Sequence, residues 1–81
     1  MSFAVTIKLF ASARERAKTD NIKVVVQPNV TLRTIQAFID QYYPELKNTK
    51  GRWAVNREFV SEDHLISVGD EIAWIPPLSG G

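Results

Sequence analysis

The last ten residues, Ile72-Ala73-Trp74-Ile75-Pro76-Pro77-Leu78-Ser79-Gly80-Gly81, restrict the fold more than any other stretch of the chain. An apolar run suited to a buried strand passes directly into two prolines and then into two glycines. Proline fixes φ near the polyproline value and has no N–H to give a neighbouring strand. Pro76-Pro77 therefore ends any pairing begun by Ile72 to Ile75 and points the chain away from the body. The last strand has to leave its sheet at an open end. From Ile75 to Gly81 an extended chain reaches about 20 Å at about 3.3 Å per residue, enough to enter another protein's active site while the body stays outside. Glycine lacks a Cβ, so Gly80 and Gly81 fit a channel too narrow for other residues, with an unhindered terminal carboxylate behind them. Glycine-rich ends are also commonly frayed, so Gly-Gly alone is a weak motif. The stiff Pro-Pro at a strand exit is what strengthens it.

A tail of this kind needs a folded body. At 81 residues the chain is one domain, of a size that buries about 60 to 65% of its unfolded surface. The expected division is a domain over 1–75 and an extended tail over 76–81. With 44% apolar residues the chain is too hydrophobic for intrinsic disorder, yet its apolar runs are far short of a membrane span. It has no cysteine, which excludes disulfides, thiolate metal sites and cysteine nucleophiles. A net charge of +1, with Lys and Arg scattered among Asp and Glu, supplies no field for nucleic acid or a membrane surface. Thr6 and Lys8 interrupt the apolar stretch near the start, so no secretory leader is expected and the expected location is the cytoplasm.

Taken in order, Phe3 to Ala11 alternates, with Val5, Ile7 and Leu9 on one face and Thr6, Lys8 and Phe10 on the other, the period of a half-buried strand. Ala13 to Lys18 suits a single helical turn, broken at Thr19-Asp20-Asn21. Ile22 to Gln27 is a second strand with Ile22, Val24 and Val26 inward. Thr31 suits the N-cap of a helix from Leu32 to about Tyr43, whose inward stripe is Leu32, Ile35, Phe38, Ile39 and Tyr42, stopped by Pro44. A polar loop over Glu45 to Gly51 follows. Trp53 to Val55 and Glu58 to Val60 form short strands around an Asn56-Arg57 turn. Asp63 to Ser67 is expected to be irregular or 3₁₀, and Glu71 to Ile75 is the last strand. This order predicts an α+β layer, best fitted by a ubiquitin-like β-grasp: a mixed sheet with one main helix packed on one face and the first and last strands side by side in its middle.

With the tail and body laid out, the chain resembles the family of molybdopterin synthase small subunits, which are ubiquitin-like sulfur carriers. The matching pieces are Leu9-Phe10-Ala11 with Arg14-Glu15, Thr31-Leu32, Ala54-Val55-Asn56, Val60 with Asp63-His64-Leu65, and Gly69-Asp70-Glu71-Ile72-Ala73 leading into Pro76-Pro77-Leu78-Ser79-Gly80-Gly81. Only the last of these is specific by itself. The resemblance implies that an E1-like adenylating enzyme uses ATP and magnesium to adenylate Gly81, and that sulfur from a sulfurtransferase then replaces AMP. The thiocarboxylate, carried on Pro76, Pro77, Leu78, Ser79 and Gly80, enters the active site of the synthase large subunit, within a heterotetramer. There it donates sulfur to a cyclic pyranopterin phosphate, and two transfers build the dithiolene that holds molybdenum. On this resemblance the small subunit is a non-catalytic carrier with no permanently bound cofactor and no metal. A thiamine-type sulfur carrier, usually shorter and without the Pro-Pro exit, and a ubiquitin-like protein modifier are the alternatives.

A carrier handed between two enzymes needs an exposed apolar patch near its tail. Strand parity places Phe10 and Ile75 on the outward side of their strands, and Phe59 joins them from a short edge strand. Single exposed hydrophobics are also ordinary, so the patch is an expectation of geometry. His64, the one histidine, sits beside Ser61, Glu62 and Asp63 but with no nucleophile elbow or oxyanion loop, and is expected to serve a turn or packing role. Glu15, Glu62, Asp63 and Glu71 have no metal-ligand spacing. Arg14 and Arg16 suit a solvated helical turn or an acidic partner, and Trp53 and Trp74 suit the core.

Overall fold

The computed structural model describes residues 1–47 and 50–77. Strand β1 (Phe3–Leu9) is followed by helix α1 (Ala11–Ala17), β2 (Asn21–Val26), α2 (Leu32–Tyr42), a 3₁₀ turn (Pro44–Leu46), β3 (Arg52–Val55), β4 (Glu58–Val60) and β5 (Glu71–Ile75). The strands make one mixed sheet in the order β2-β1-β5-β3-β4. Its central pair is parallel: Ile7 stands beside Ile72 and Leu9 beside Trp74. Every other pairing is antiparallel. This is the β-grasp arrangement, with the first and last strands in mid-sheet.

Alternation puts the core on the helix-covered side. Val5, Ile7 and Leu9 of β1, Ile22, Val24 and Val26 of β2, Trp53 and Val55 of β3 and Ile72 of β5 are all buried there, together with Leu32, Ile35 and Ile39 of α2. Ile7, Leu9, Leu32, Ile35 and Ile72 are the most deeply buried large side chains. Burial of each is worth about 1.5 to 3 kcal/mol, which is how 81 residues hold together without a cross-link. Trp74 is half-buried and meets Trp53 edge-on at 4.9 Å between ring centroids.

The local differences from the sequence expectations have physical causes. β1 stops at Leu9, and the residues after it make two turns of helix, since fully buried Ala13 anchors α1 to the core and Lys18 closes it in the left-handed conformation. Thr31 does occupy the N-cap of α2, but its side chain makes no capping bond. The backbone carbonyls of His64 and Glu62 take its place, accepting the N–H groups of Leu32 (3.2 Å) and Arg33 (2.9 Å). The first turn of the helix is thus satisfied by a loop thirty residues away. Arg33 adds ion pairs to Glu62 (2.7 Å) and Asp63 (2.6 Å), but all three side chains are exposed and contribute little beside the backbone bonds. Residues 63–67 take the irregular of the two expected forms, with Leu65 bridged to Thr31 and the Ile66 N–H bonded to the Val30 carbonyl. The 3₁₀ turn lies at Pro44–Leu46, inside the expected loop. Tyr42 does not join the buried stripe: it is 59% exposed and stacks on Phe38, while Tyr43 packs against the core instead.

Candidate functional site

The functional candidates gather where β5 leaves the sheet, and the strand is fastened at both ends. At its start, Asn56 occupies the first position of a two-residue hairpin turn in which Asn56 and Arg57 both have positive φ (52° and 71°). The Asn56 N–H donates to the Glu71 carbonyl at 2.8 Å, and the Glu71 N–H donates to Asn56 Oδ1 at 3.0 Å. Asn56 Nδ2 donates to Asp70 Oδ1 at 3.0 Å, and Asp70 Oδ2 accepts the Ser67 N–H at 2.7 Å. One side chain therefore fixes the register of β5 against the β3–β4 hairpin and the turn before it.

At the other end, Gly51 lies directly against the exit. A Cβ placed on it would fall 2.8 Å from the Ile75 carbonyl oxygen and 2.8 Å from two carbons of the Trp74 indole, closer than such atoms can sit. Only glycine lets β3 begin tight against the last residue of β5. Pro76 is buried and Pro77 exposed, so the first proline is still held by the body. Leu78, Ser79, Gly80 and Gly81, named for the tail and its working end, lie outside the described residues.

The sheet face without helices carries the outward residues. Phe10 has extended backbone, so although it caps α1 it keeps the outward direction of β1. Phe10, Phe59 and Ile75 all line one depression of about 390 Å³, with buried Ala54 among its lining. Phe10 and Phe59 are 45% and 52% exposed, and Ile75 is half-buried. A second hollow of about 570 Å³ shares Phe59 and Ile75 and runs on to Pro76 and Pro77. Phe10 and Ile75, read from strand parity, and Phe59 of the short edge strand are thus brought together, next to the tail's base.

Charges frame this face. Lys8 Nζ bonds to Glu71 Oε2 at 3.1 Å and Arg57 Nε approaches Glu71 Oε1 at 3.8 Å. The Lys8 hydrogen bond, with Arg57 behind it, holds the Glu71 carboxyl below the usual carboxylate range. The Arg52 guanidinium lies 3.9 Å above the Phe59 ring, a cation–π contact. Among the described residues no three His, Asp or Glu side chains gather as a metal site. His64 is exposed; its N–H donates to the Ser61 carbonyl at 3.1 Å in a turn, and its carbonyl accepts the Leu32 N–H at the start of α2. Gly51 and the Asn56–Asp70 fastening were not singled out from sequence. The φ > 0 of the turn was legible in Asn56, but its contact with Glu71 fifteen residues on was not.

Residues 7–81 match the ThiS family. The chain is 38% identical over 80 residues to the molybdopterin synthase sulfur carrier subunit of Escherichia coli (strain K12), an alignment covering 95% of this chain and 99% of that one. The crystal structure of SAMP1 from Haloferax volcanii superposes with a TM-score of 0.87 at 26% identity, over 98% of this chain and 100% of that one. The fold also matches a protein in the complex of subunits 1 and 2 of the molybdopterin-converting factor from Helicobacter pylori, with a TM-score of 0.72, 22% identity and coverage of 98% and 100%. A family match from Ile7 to the last residue, joined to this identity over nearly all of both chains, makes the protein a member of the ThiS family and of its molybdopterin synthase sulfur carrier subunits.

Proposed function

We propose that this protein carries sulfur for molybdopterin synthase on the carboxyl group of Gly81. The observation that supports this most is the exit of β5: the middle strand of the sheet, paired on both sides, delivers Pro76-Pro77 beside an apolar, cation-framed depression. A carrier needs such an arrangement, because a partner gripping the open face then receives the tail from a fixed origin. A free carboxylate is a poor electrophile. The Gly81 carboxylate attacks the α-phosphorus of ATP on a magnesium-dependent E1-like enzyme and expels pyrophosphate. The outer sulfur of a sulfurtransferase's cysteine persulfide then attacks the acyl carbon and AMP leaves; a thiol reduces the resulting acyl disulfide, forming a disulfide with the sulfurtransferase cysteine, and a thiocarboxylate remains. Inserted into the large subunit, that sulfur attacks a carbon of the cyclic pyranopterin phosphate and displaces the oxygen bound there, which leaves as a phosphate oxygen of the opened ring or as water; water then cleaves the acyl–sulfur bond to restore the carboxylate. The body has no step to catalyse. It supplies Phe10, Phe59 and Ile75 as contacts and Gly80 as a slender spacer.

Reconstitution with the adenylating enzyme, a sulfur donor, the large subunit and cyclic pyranopterin phosphate tests the proposal. The native chain is expected to yield dithiolene, and a variant with a serine permanently added after Gly81 none. Full activity of the extended chain would sink the reading. The likeness to SAMP1, the small archaeal modifier protein 1 of Haloferax volcanii, favours one second reading: ligation of Gly81 to lysines. Isopeptide-linked Gly81 with no sulfur in the tail would decide for it.

A further inference from the structure

The open face is charged out of proportion to the chain. Its two hollows are lined by Lys8, Lys50, Arg52 and Arg57 against a single carboxylate, Glu71. That is a surplus of three positive charges on a chain whose net charge is +1, which leaves the rest of the molecule at −2. Glu71 is already shared between Lys8 and Arg57. Arg52 has no carboxylate partner among the described residues, and the carbon of its guanidinium lies over the Phe59 ring, 3.9 Å from the centroid. A guanidinium held over a ring keeps its N–H groups in the plane of the group, free to take a carboxylate in two parallel hydrogen bonds, and it loses little further freedom in doing so.

From this placement we infer that the protein covering the open face is acidic there: it sets carboxylates opposite Arg52 and Lys50, around an apolar contact with Phe59 and Ile75. The inference rests on the sulfur-carrier reading and names the chemistry of the receiving surface. Arg52 selects the partner and speeds its arrival, while the apolar residues hold it. Charges at the rim of an interface chiefly set the association rate and its salt dependence. A nucleic acid fits this face less well. Four cations are fewer than the roughly six to ten phosphate contacts typical of duplex binders, and Glu71 lies among them.

Association with the synthase large subunit, followed by stopped flow, tests this. Raising NaCl from about 50 to about 300 mM is expected to slow association about tenfold, since the Debye length contracts to well below the width of the patch. Arg52→Glu is expected to slow it by about tenfold at low salt and to flatten the salt dependence, with dissociation changed by less than about twofold. Phe59→Ala is expected to do the reverse, speeding dissociation. Both positions are exposed, and unchanged melting temperatures verify the fold. Association indifferent to salt and to Arg52→Glu, with sulfur transfer intact, overturns the inference and leaves the carrier reading standing. No complex with the large subunit at any salt contradicts both. Binding of a 20-base-pair DNA duplex as tightly as the large subunit also overturns the inference.

Discussion

The two faces of the sheet are built from alternate residues of the same strands, and they are spent differently. On β1, Val5, Ile7 and Leu9 are at most 3% exposed beneath the helices, whereas Lys8 lines the open hollow and Phe10 beyond it is 45% exposed. On β5, Ile72 is fully covered while Glu71, Ala73 and Ile75 line the open hollow. The two-residue period of a strand lets a small domain place stability on one set of residues and recognition on the other, with little overlap. Changes to the covered face should move the melting temperature, and changes to the open face should move affinity. Loss of the last glycine should leave the melting temperature in place and stop sulfur transfer.

The largest effect is expected at the tail. Deleting Gly81 should abolish dithiolene formation while shifting the melting temperature by less than about 2 °C, because a terminal glycine has no side chain to bury and one kcal/mol is worth several degrees in a domain of this size. A loss of many degrees would break the separation between carrier and body. On the covered face, Ile72→Ala should cost about 2 to 5 kcal/mol by urea unfolding, since Ile72 lies at the centre of the core between β1 and β3. Unfolding at the native midpoint would show that the parity of β5 has been misassigned. On the open face, Ile75→Asp should weaken the complex with the large subunit by about 30-fold, about 2 kcal/mol, as expected for an apolar anchor at an interface centre. Native affinity by calorimetry would remove Ile75 from the contact.

The smallest effect concerns Glu71, whose carboxyl is held below its ordinary value, first by the Lys8 hydrogen bond and then by Arg57. A depressed folded-state pKa stabilises above the unfolded value, and that stabilisation is lost as pH falls through the folded one. Glu71→Gln should therefore lower the melting temperature slightly at neutral pH, with the difference from the native protein closing as pH drops below 4.5. A gap that stays constant into acid would mean that Lys8 and Arg57 do not hold Glu71 as an ion pair.

Most of the architecture was legible because it is written in local periods. Alternation through Val5, Ile7 and Leu9 and through Ile22, Val24 and Val26 gave the covered face, and the same parity put Phe10 and Ile75 on the open one. Pro76-Pro77 marked the end of β5. What could not be read depends on residues far apart in sequence. Thr31 carries the composition of a cap, yet the carbonyls of Glu62 and His64 do the capping, and no local pattern announces a loop folding back over thirty residues. Gly51 was read only as loop; its close approach to Ile75 and Trp74 exists only once β3 lies against β5. Tyr42 follows the helical spacing yet is exposed in the last turn of α2, while Tyr43, whose backbone has left the helix (φ −132°, ψ 64°), packs against the core.

The claim that Gly81 bears the sulfur is tested most directly by mass spectrometry of the alkylated protein, purified from cells that retain the adenylating enzyme. With no cysteine in the chain and Met1 its sole methionine, sulfur at the other end is unambiguous once the tag is mapped by fragmentation. The expected result is an alkylated thiocarboxylate on Gly81. A tail that remains a plain carboxylate in every preparation, while the cells make molybdopterin through this protein, would contradict it.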